Sequence, residues 1–167
     1  MFTMKEKFGS IEGLNVTIIG DIQHSRVARS NVWGLTKLGA KVTMCGMNTM
    51  MPYGIEQTGA NVTSDLKQAI ENADVIMALR IQKERQQGGL LPSVREYHKF
   101  FGINDDVLKY CKNDPFIMHP GPVNRGVELS SSVMDADFSA IDTQVTNGVA
   151  VRMALLYILT RRDQHDA

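Results

Sequence analysis

The sequence predicts an α/β fold, namely a doubly wound parallel sheet of about five strands that is flanked by helices on both faces. Short β-branched, apolar runs alternate with helix-patterned segments across short connections, as in successive βαβ units. The 167 residues are enough for one compact domain with a sizeable buried core. Polar, cationic clusters follow three of the apolar runs, and the carboxyl ends of parallel strands share one edge of a sheet. We therefore expect a single domain over residues 1–167 with its site at that edge.

The first half of the chain predicts two strand–helix units. Residues 15–20 form a β-branched apolar run ending in glycine, which is typical of a buried parallel strand. A helix is expected from Ser25, with apolar positions at 28, 32, 35 and 38 and a stop at Gly39. Residues 41–46 predict the second strand. The Met-rich segment after it passes through Pro52 into a short helix.

The second half predicts the remaining strands and helices. Ser64 is the expected N-cap of a helix with apolar residues at 66, 69, 70 and 73. Residues 74–79 and 116–118 predict strands, with helices expected at 93–101 and, capped by Asn104, at 105–111. The polar stretch 81–91 before Pro92 predicts a loop that opens onto the site.

Both ends of the chain predict that a partner is missing. Residues 1–9 have the pattern of the last turns of a helix, with a stop at Gly9 and no cap at its beginning. Residues 147–160 predict a helix that is apolar nearly all round and needs cover on more than one side. These two features lead us to expect a domain separated from a larger protein.

Composition argues against several classes of function. Lys plus Arg and Asp plus Glu are equal at 18 each, so no basic field favours nucleic acid as a partner. Cys45 and Cys111 lack metal-ligand spacing, so neither a metal nor a disulfide framework is expected, and Cys45 is interpreted as a small buried hydrophobe. No 18-residue apolar run and no signal segment is present, from which we expect a cytoplasmic protein with no membrane partner.

The turn after the first strand argues against dinucleotide binding, although the fold invites it. Gly20, Asp21 and Ile22 do not form a G-x-G-x-x-G pattern, and an acid stands where a pyrophosphate needs bare amides. We therefore expect no cofactor. Asp21 and His24 are expected to cap or orient the turn.

Arginines that follow the strands predict a small anionic ligand. Arg26 and Arg29 share one face of a helix, and Arg26, at the helix start, is better placed to hold a carboxylate in a two-pronged contact. Arg80 directly ends an apolar strand, where a half-buried charge needs a partner. That partner is either Glu84 or a ligand, and both hold if Glu84 keeps Arg80 in position for the ligand.

The string His119-Pro120-Gly121-Pro122 follows the last predicted strand. Its two prolines fix the backbone and remove two N–H donors, which leaves carbonyl groups directed outward. His119 is a candidate general base or a hydrogen-bonded scaffold residue. No pattern in the chain pairs a nucleophile with a base, so covalent catalysis is not expected.

Four ordered strings carry a resemblance that covers nearly the whole chain. They are GDIQHSRVARSN at 20–31, LRIQKER at 79–85, MHPGPVNRGVE at 118–128 and NGVAVRMA at 147–154. Together they resemble the second half of catalytic chains of the aspartate carbamoyltransferase family. The related ornithine enzymes fit less well, because they carry a cysteine in the string where this chain has Pro120.

The resemblance implies an enzyme of pyrimidine biosynthesis that transfers a carbamoyl group from carbamoyl phosphate to L-aspartate. It implies that Arg26 and Arg80 hold the aspartate carboxylates with help from Gln82. The segment from 82 to about 96 corresponds to a loop that closes over the substrates. Glu84 is expected to support Arg80 from within that loop.

The resemblance assigns the carbamoyl group of carbamoyl phosphate to the loop after the last strand. Gly121 and Pro122 match the residues whose backbone touches that group, and Pro120 belongs to the same loop. His119 is expected to support this loop without contacting the substrate.

The resemblance also implies a partner domain. In the family, a preceding domain supplies Ser-x-Arg-Thr-Arg and His-Pro-Thr-Gln strings, and a neighbouring subunit supplies a lysine; these groups hold carbamoyl phosphate, and none is in these residues. We therefore expect an amino-terminal carbamoyl-phosphate domain, a trimer-based homo-oligomer, and no activity of this half alone. The alternative is a stand-alone dicarboxylate-sensing or regulatory module with the same fold.

Overall fold

A computed structural model describes residues 1–81 and 93–162 and confirms the predicted fold class. Five parallel strands form one sheet in the order β3-β2-β1-β4-β5. The strands are β1 Asn15–Ile19, β2 Lys41–Cys45, β3 Asn61–Thr63, β4 Val75–Ala78 and β5 Phe116–Met118. The helices of the described ranges are α1 Phe2–Phe8, α2 Arg26–Lys37, α3 Leu66–Ile70, α4 Val94–Phe101, α5 Asp105–Leu108, α6 Ser131–Met134 and α7 Ile141–Arg162.

Helices cover both faces of the sheet, as the sequence predicts. Successive strand residues point to opposite faces, so Ile18 of β1 packs in one buried cluster with Leu35 of α2. Ile76 of β4 packs in a second buried cluster with Ile70 of α3 and Tyr97 of α4. Burial of each such side chain contributes about 1.5–3 kcal/mol, and the two clusters together fix the strand ends that carry the polar residues.

Several local predictions differ from the structure. Asp65, not Ser64, caps α3, because its carboxylate accepts hydrogen bonds from the N–H groups of Lys67 and Gln68 at 3.0 and 3.2 Å. The helix capped by Asn104 ends at Leu108; of the remaining predicted helical residues, Lys109 and Tyr110 form a turn and Cys111 lies in neither a helix nor a turn.

The sequence did not locate β3, because this edge strand has three residues and no apolar run. The short helix expected after Pro52 is a 3-10 turn, Ile55–Thr58. Leu38 is the C-cap residue after α2 and is 49% exposed, so it is not a core residue.

The long helix α7 leaves most of its apolar residues uncovered within the described chain. Its N-terminal part contacts α1 and β5, and Asn147 donates hydrogen bonds to Thr3 and Glu6 of α1. Beyond that contact the exposed apolar side chains, each between 39% and 65% accessible, are Val149, Val151, Met153, Leu155, Leu156, Tyr157, Ile158 and Leu159. Among the helices of the described ranges, α7 included, none has the length and hydropathy of a membrane span.

Candidate functional site

The site lies where the order of the sheet reverses direction. From β1 the chain builds outward through β2 and β3, and it then returns to the other side of β1 with β4 and β5. Ligands of open α/β sheets bind outside the carboxyl ends of the strands at such a switch point. The switch point here lies between β1 and β4, whose last residues Ile19 and Ala78 are paired in register.

Gly20 lets the ends of these two strands approach closely. Its φ is +137°, and a Cβ added there would lie 3.0 Å from the Cβ of Leu79. The N–H of Leu79 donates to the carbonyl of Ile19 at 2.8 Å, and the N–H of Gly20 donates to the carbonyl of Cys45 at 3.0 Å. Hydrogen bonding between strands therefore continues to the residue before Arg80.

The turn from β1 to α2 is held by Asp21, as the sequence predicts. The Asp21 carboxylate is buried and accepts the N–H of His24 at 3.1 Å, and the Nδ1 atom of His24 lies 3.0 Å from both carboxylate oxygens. Ser25 caps the helix by accepting the N–H of Ala28 at 3.1 Å. The helix then begins at Arg26, which is exposed at the carboxyl edge of the sheet.

Arg80 follows β4 at the same edge and is half-buried. Its positive charge contributes to the lowered pKa of His119, which indicates that the guanidinium lies near the end of β5. The first residues after β1, β4 and β5 thus come together along three adjacent strands. The predicted site residues Gln82 and Glu84 lie outside the described residues.

The loop after β5 is organised around His119, which is fully buried. The N–H of Gly121 donates to His119 Nδ1 at 2.9 Å, and the N–H of His119 donates to Gln144 Oε1 of α7 at 3.0 Å. Because Nδ1 accepts a hydrogen bond, the neutral imidazole carries its proton on Nε2. Gly121 has a φ of +67° and precedes Pro122 through a cis peptide bond.

This geometry has two chemical consequences for the loop. Burial, and next the charge of Arg80, lowers the pKa of His119 to about 4, so the imidazole is neutral at pH 7 and a poor base. The geometry therefore favours the scaffold interpretation of His119 over the general base. Pro120 and Pro122 have no N–H, and the N–H of Gly121 is donated to His119, so carbonyl oxygens are the main-chain groups that these three residues can offer to a ligand.

Sequence reasoning gave no role to Glu128 and Asn124, which connect these strand ends. The Glu128 carboxylate is buried and accepts the N–H of Ile81, the residue after Arg80, at 2.6 Å. It also accepts the side-chain and main-chain N–H groups of Asn124 at 2.7 and 2.9 Å. The sequence signal that could have revealed Glu128 is an acidic residue between the apolar residues Val127 and Leu129, a pattern that indicates a buried charge.

An open, largely apolar groove of about 670 Å³ lies beside the site. Its lining in the described chain includes Pro120, Gln144 and apolar residues of α1 and α7, but neither Arg26 nor Arg80. It extends from the loop after β5 along the uncovered surface of α7. The groove therefore borders the site and does not contain the arginines.

Arginines at the switch point of a doubly wound parallel sheet define an α/β domain suited to a small anionic ligand. Comparison with known proteins identifies the family. Residues 12–159 match the family described as "Aspartate/ornithine carbamoyltransferase, Asp/Orn binding domain". The chain belongs to this family.

Similar relatives are catalytic subunits of aspartate carbamoyltransferase. The subunit of Acetivibrio thermocellus is 61% identical over 167 residues, which is 100% of this chain and 54% of that subunit. The subunit of Ruminiclostridium cellulolyticum is 63% identical over 162 residues, which is 97% of this chain and 52% of that subunit. The chain spans about half the length of these curated relatives.

Solved structures show the same fold. Aspartate transcarbamoylase from Trypanosoma cruzi, in complex with N-(phosphonacetyl)-L-aspartic acid, aligns with a TM-score of 0.78 at 27% identity, covering 93% of this chain and 52% of that one. Ornithine carbamoyltransferase from Pyrococcus furiosus aligns with a TM-score of 0.77 at 28% identity, covering 92% and 52%.

Proposed function

We propose that this chain is the L-aspartate-binding half of an aspartate carbamoyltransferase. That enzyme converts carbamoyl phosphate and L-aspartate into N-carbamoyl-L-aspartate and phosphate, a step of pyrimidine biosynthesis. The observation that carries the proposal is the switch point between β1 and β4, which brings the segments of Arg26 and Arg80 to one edge. It occurs in a chain that is 61% identical along its whole length to a catalytic subunit of that name.

Arg26 and Arg80 bind the two carboxylates of L-aspartate in this proposal. A guanidinium matches a carboxylate with two parallel hydrogen bonds, and its charge persists at every physiological pH. The exposed position of Arg26 at the start of α2 and the half-buried position of Arg80 after β4 support this role. Gln82 assists, and Glu84 holds Arg80; their part rests on the resemblance of the string LRIQKER.

Pro120, Gly121 and Pro122 bind the carbamoyl group of carbamoyl phosphate. The amide nitrogen of that group has two N–H donors and needs acceptors. The loop meets this need because its two prolines lack N–H groups and the N–H of Gly121 is donated to His119 Nδ1 at 2.9 Å. His119 supports the loop from a buried position and does not touch the substrate.

The chemistry needs no protein nucleophile. The amine nitrogen of L-aspartate attacks the carbamoyl carbon, the C–N bond forms, the C–O bond to phosphate breaks, and the proton that the amine loses passes to the leaving phosphate. The rate comes from alignment of the two bound anions and from cations that meet the developing charge. No cofactor or metal takes part.

The amino-terminal carbamoyl-phosphate domain supplies the cations for the leaving phosphate, so this half alone is inactive. The effective molarity of aligned reactants, on the order of 10⁵–10⁸ M, measures what is lost when one substrate has no binding site. The uncovered apolar side chains of α7 support the presence of a covering partner. A single aspartate-binding domain over 1–167, a trimer-based homo-oligomer and a cytoplasmic location are further parts of the proposal.

The test supplies an amino-terminal half from a relative. We would join this chain to the amino-terminal half of the Acetivibrio thermocellus subunit and measure formation of carbamoyl-aspartate, with L-ornithine as the control acceptor. Turnover with L-aspartate is expected, and none with this chain alone. No turnover in a folded fusion protein would contradict the proposal.

Arg80→Ala in the same fusion protein tests the role of Arg80. Loss of the charged contact is expected to raise the KM for L-aspartate roughly 10- to 100-fold, since a net loss of about 1.5–3 kcal/mol is typical for removal of a hydrogen-bonded charged group. Arg125→Ala is the matched control, because Arg125 is exposed and pairs with Asp135 at 2.9 Å. A variant that no longer folds would show instead that Arg80 is structural.

Calorimetry separates the enzyme from a stand-alone dicarboxylate sensor. Tight binding of L-aspartate to this chain without carbamoyl phosphate would favour the sensor. The enzyme half is expected to bind L-aspartate weakly until the other substrate and its domain are present.

A further inference from the structure

The residue after Arg80 is held by both of its main-chain polar groups. The N–H of Ile81 donates to Glu128 Oε1 at 2.6 Å, and the carbonyl of Ile81 accepts Asn124 Nδ2 at 3.2 Å. The side chain of Ile81 is fully buried. These contacts join positions that are 47 and 43 residues apart in the chain.

The residue before Arg80 is held as well, by the hydrogen bond from the N–H of Leu79 to the carbonyl of Ile19 at 2.8 Å. Arg80 therefore lies between one residue fixed by the sheet and one fixed by Glu128 and Asn124. The main chain at Arg80 has little freedom, so the guanidinium reaches its position through side-chain torsions alone.

Both the side chain and the main chain of Glu128 are held by hydrogen bonds. Its carboxylate accepts three hydrogen bonds, one from Ile81 and two from Asn124. Its own carbonyl accepts the N–H of Ile103 at 2.9 Å, and the neighbouring carbonyl of Val127 accepts His98 Nδ1 at 3.1 Å. Glu128 thus joins three segments of the chain at one point.

A buried carboxylate at this position lowers the stability of the fold unless hydrogen bonds compensate for its loss of water. Glu128 is 1% exposed, and a buried charge is destabilising compared with an apolar residue of similar size, unless its hydrogen bonds offset the loss of water. The main-chain N–H groups of Ile81 and Asn124 meet different oxygens of Glu128, Oε1 and Oε2, and a carboxylate is the side chain of this size that offers an acceptor at both positions. The hydrogen bonds therefore explain the residue type.

We propose that Glu128 is a positioning residue, which fixes the main chain at Ile81 and thereby sets Arg80 for the carboxylate that it binds. The inference rests on the proposed function and deepens it. Glu128 and Asn124, which hold the N–H and the carbonyl of Ile81, together form a clamp on this residue. Asn124 lies two residues after Pro122. The clamp therefore also ties the position of Arg80 to the loop that receives the carbamoyl group, and alignment of the two substrates depends on that tie.

The test uses the fusion protein that carries the amino-terminal half, and it compares the wild type with Glu128→Gln. Glutamine keeps the size of the side chain but offers one acceptor oxygen, so either Ile81 or Asn124 loses its main-chain hydrogen bond. The expected result is a roughly tenfold rise in the KM for L-aspartate. Asp135→Asn is the matched control, because it makes the same acid-to-amide change at an exposed carboxylate nearby and is expected to change nothing.

A double mutant separates a positioning role from a general loss of structure. If Glu128 acts through Arg80, Glu128→Gln is expected to change the KM for L-aspartate less than threefold once Arg80→Ala is present, because effects on one unit are not additive. A further tenfold rise in the double mutant would overturn the proposal. An unchanged KM in a folded single mutant would do the same.

A second variant, Asn124→Ala, and a hydrogen-exchange measurement test the proposal independently. If Glu128→Gln does not fold, Asn124→Ala removes the amide that holds the Ile81 carbonyl and leaves the carboxylate in place. An unchanged KM for L-aspartate in that variant would overturn the proposal. Hydrogen exchange does not need turnover, and in Glu128→Gln it is expected to quicken at least tenfold at the main-chain amide of Ile81 or of Asn124, whichever loses its acceptor. Unchanged exchange at both amides overturns the proposal. An inactive wild type would instead count against the proposed function.

Discussion

Protonation of His119 is expected to destabilise the folded chain in acid. Burial, and next the charge of Arg80, lowers its pKa from 6.5 to about 4. As the pH falls below 6.5, the unfolded chain takes up a proton at His119, whereas the folded chain does so only near pH 4. The unfolded state therefore binds more protons in this window, so the free energy of unfolding falls as the pH falls from 6.5 to 4 and is restored as it rises.

The size of the effect follows from the shift in pKa. A shift of one unit corresponds to about 1.36 kcal/mol, so the full window is worth about 3 kcal/mol. Between pH 7.5 and pH 4.5, linkage predicts a loss of about 2.5 kcal/mol from this one group. His119 has no accessible surface, so solvent screens its charge only weakly.

The assay compares urea unfolding of the wild type and of His119→Asn at pH 7.5 and pH 4.5. Asparagine places an amide oxygen where Nδ1 accepts the N–H of Gly121, so the loop keeps its hydrogen bond. Carboxylates titrate in both proteins, and the difference between them isolates His119. The wild type is expected to lose about 2.5 kcal/mol more than the variant.

Equal losses in the two proteins would refute this reasoning. An independent check is the nitrogen chemical shift of the imidazole, which is expected to show the proton on Nε2 at neutral pH. A titration midpoint near 6.5 in the folded chain would mean that neither burial nor Arg80 acts on His119 as described.

Two further predictions concern the packing beneath the site. Gly46→Ala is expected to destabilise the chain by about 1–3 kcal/mol, because the added Cβ would lie 2.5 Å from the carbonyl oxygen of Gly20. Gly148→Ala, in α7 with nothing within 4 Å of the added Cβ, is the control and should be stabilising by about 0.5–1 kcal/mol in urea unfolding. The Cys45 thiol is buried and its pKa is raised to about 12 by burial and then by Asp65, so it is expected to resist iodoacetamide at pH 8 until the chain unfolds. Rapid alkylation of Cys45 in the native chain would contradict this assignment.

Much of the fold was predictable because the strands are buried on both faces. Apolar runs such as 15–20 and 74–79 have no exposed face, so composition and length alone identify them. The edge strand β3 escaped detection because Val62 is 40% exposed and no apolar run surrounds it. The cap of α3 was misplaced by one residue, since Ser64 and Asp65 are both good caps and only the backbone decides between them.

The candidate site also has features that the sequence predicted and features that it did not. The placement of Arg80 and of the loop at 119–122 at one edge was predictable because each follows a strand, and parallel strands bring their ends together. Arg26 reaches the same edge because it begins the helix after the turn that follows β1. The tautomer of His119 was not predictable, since it depends on which nitrogen meets the N–H of Gly121. Glu128 lies 47 residues from Ile81 in the chain, so no local pattern could pair them.

The sequence by itself determined the α/β class, most of the strands and the residues that can bind anions, because burial and strand ends leave local patterns in composition. The tertiary structure alone decided the strand order, the low pKa of His119 and the clamp that joins Glu128 to Ile81. Those features arise between segments far apart in the chain, where only folding sets which donor meets which acceptor and how much water remains around a charge.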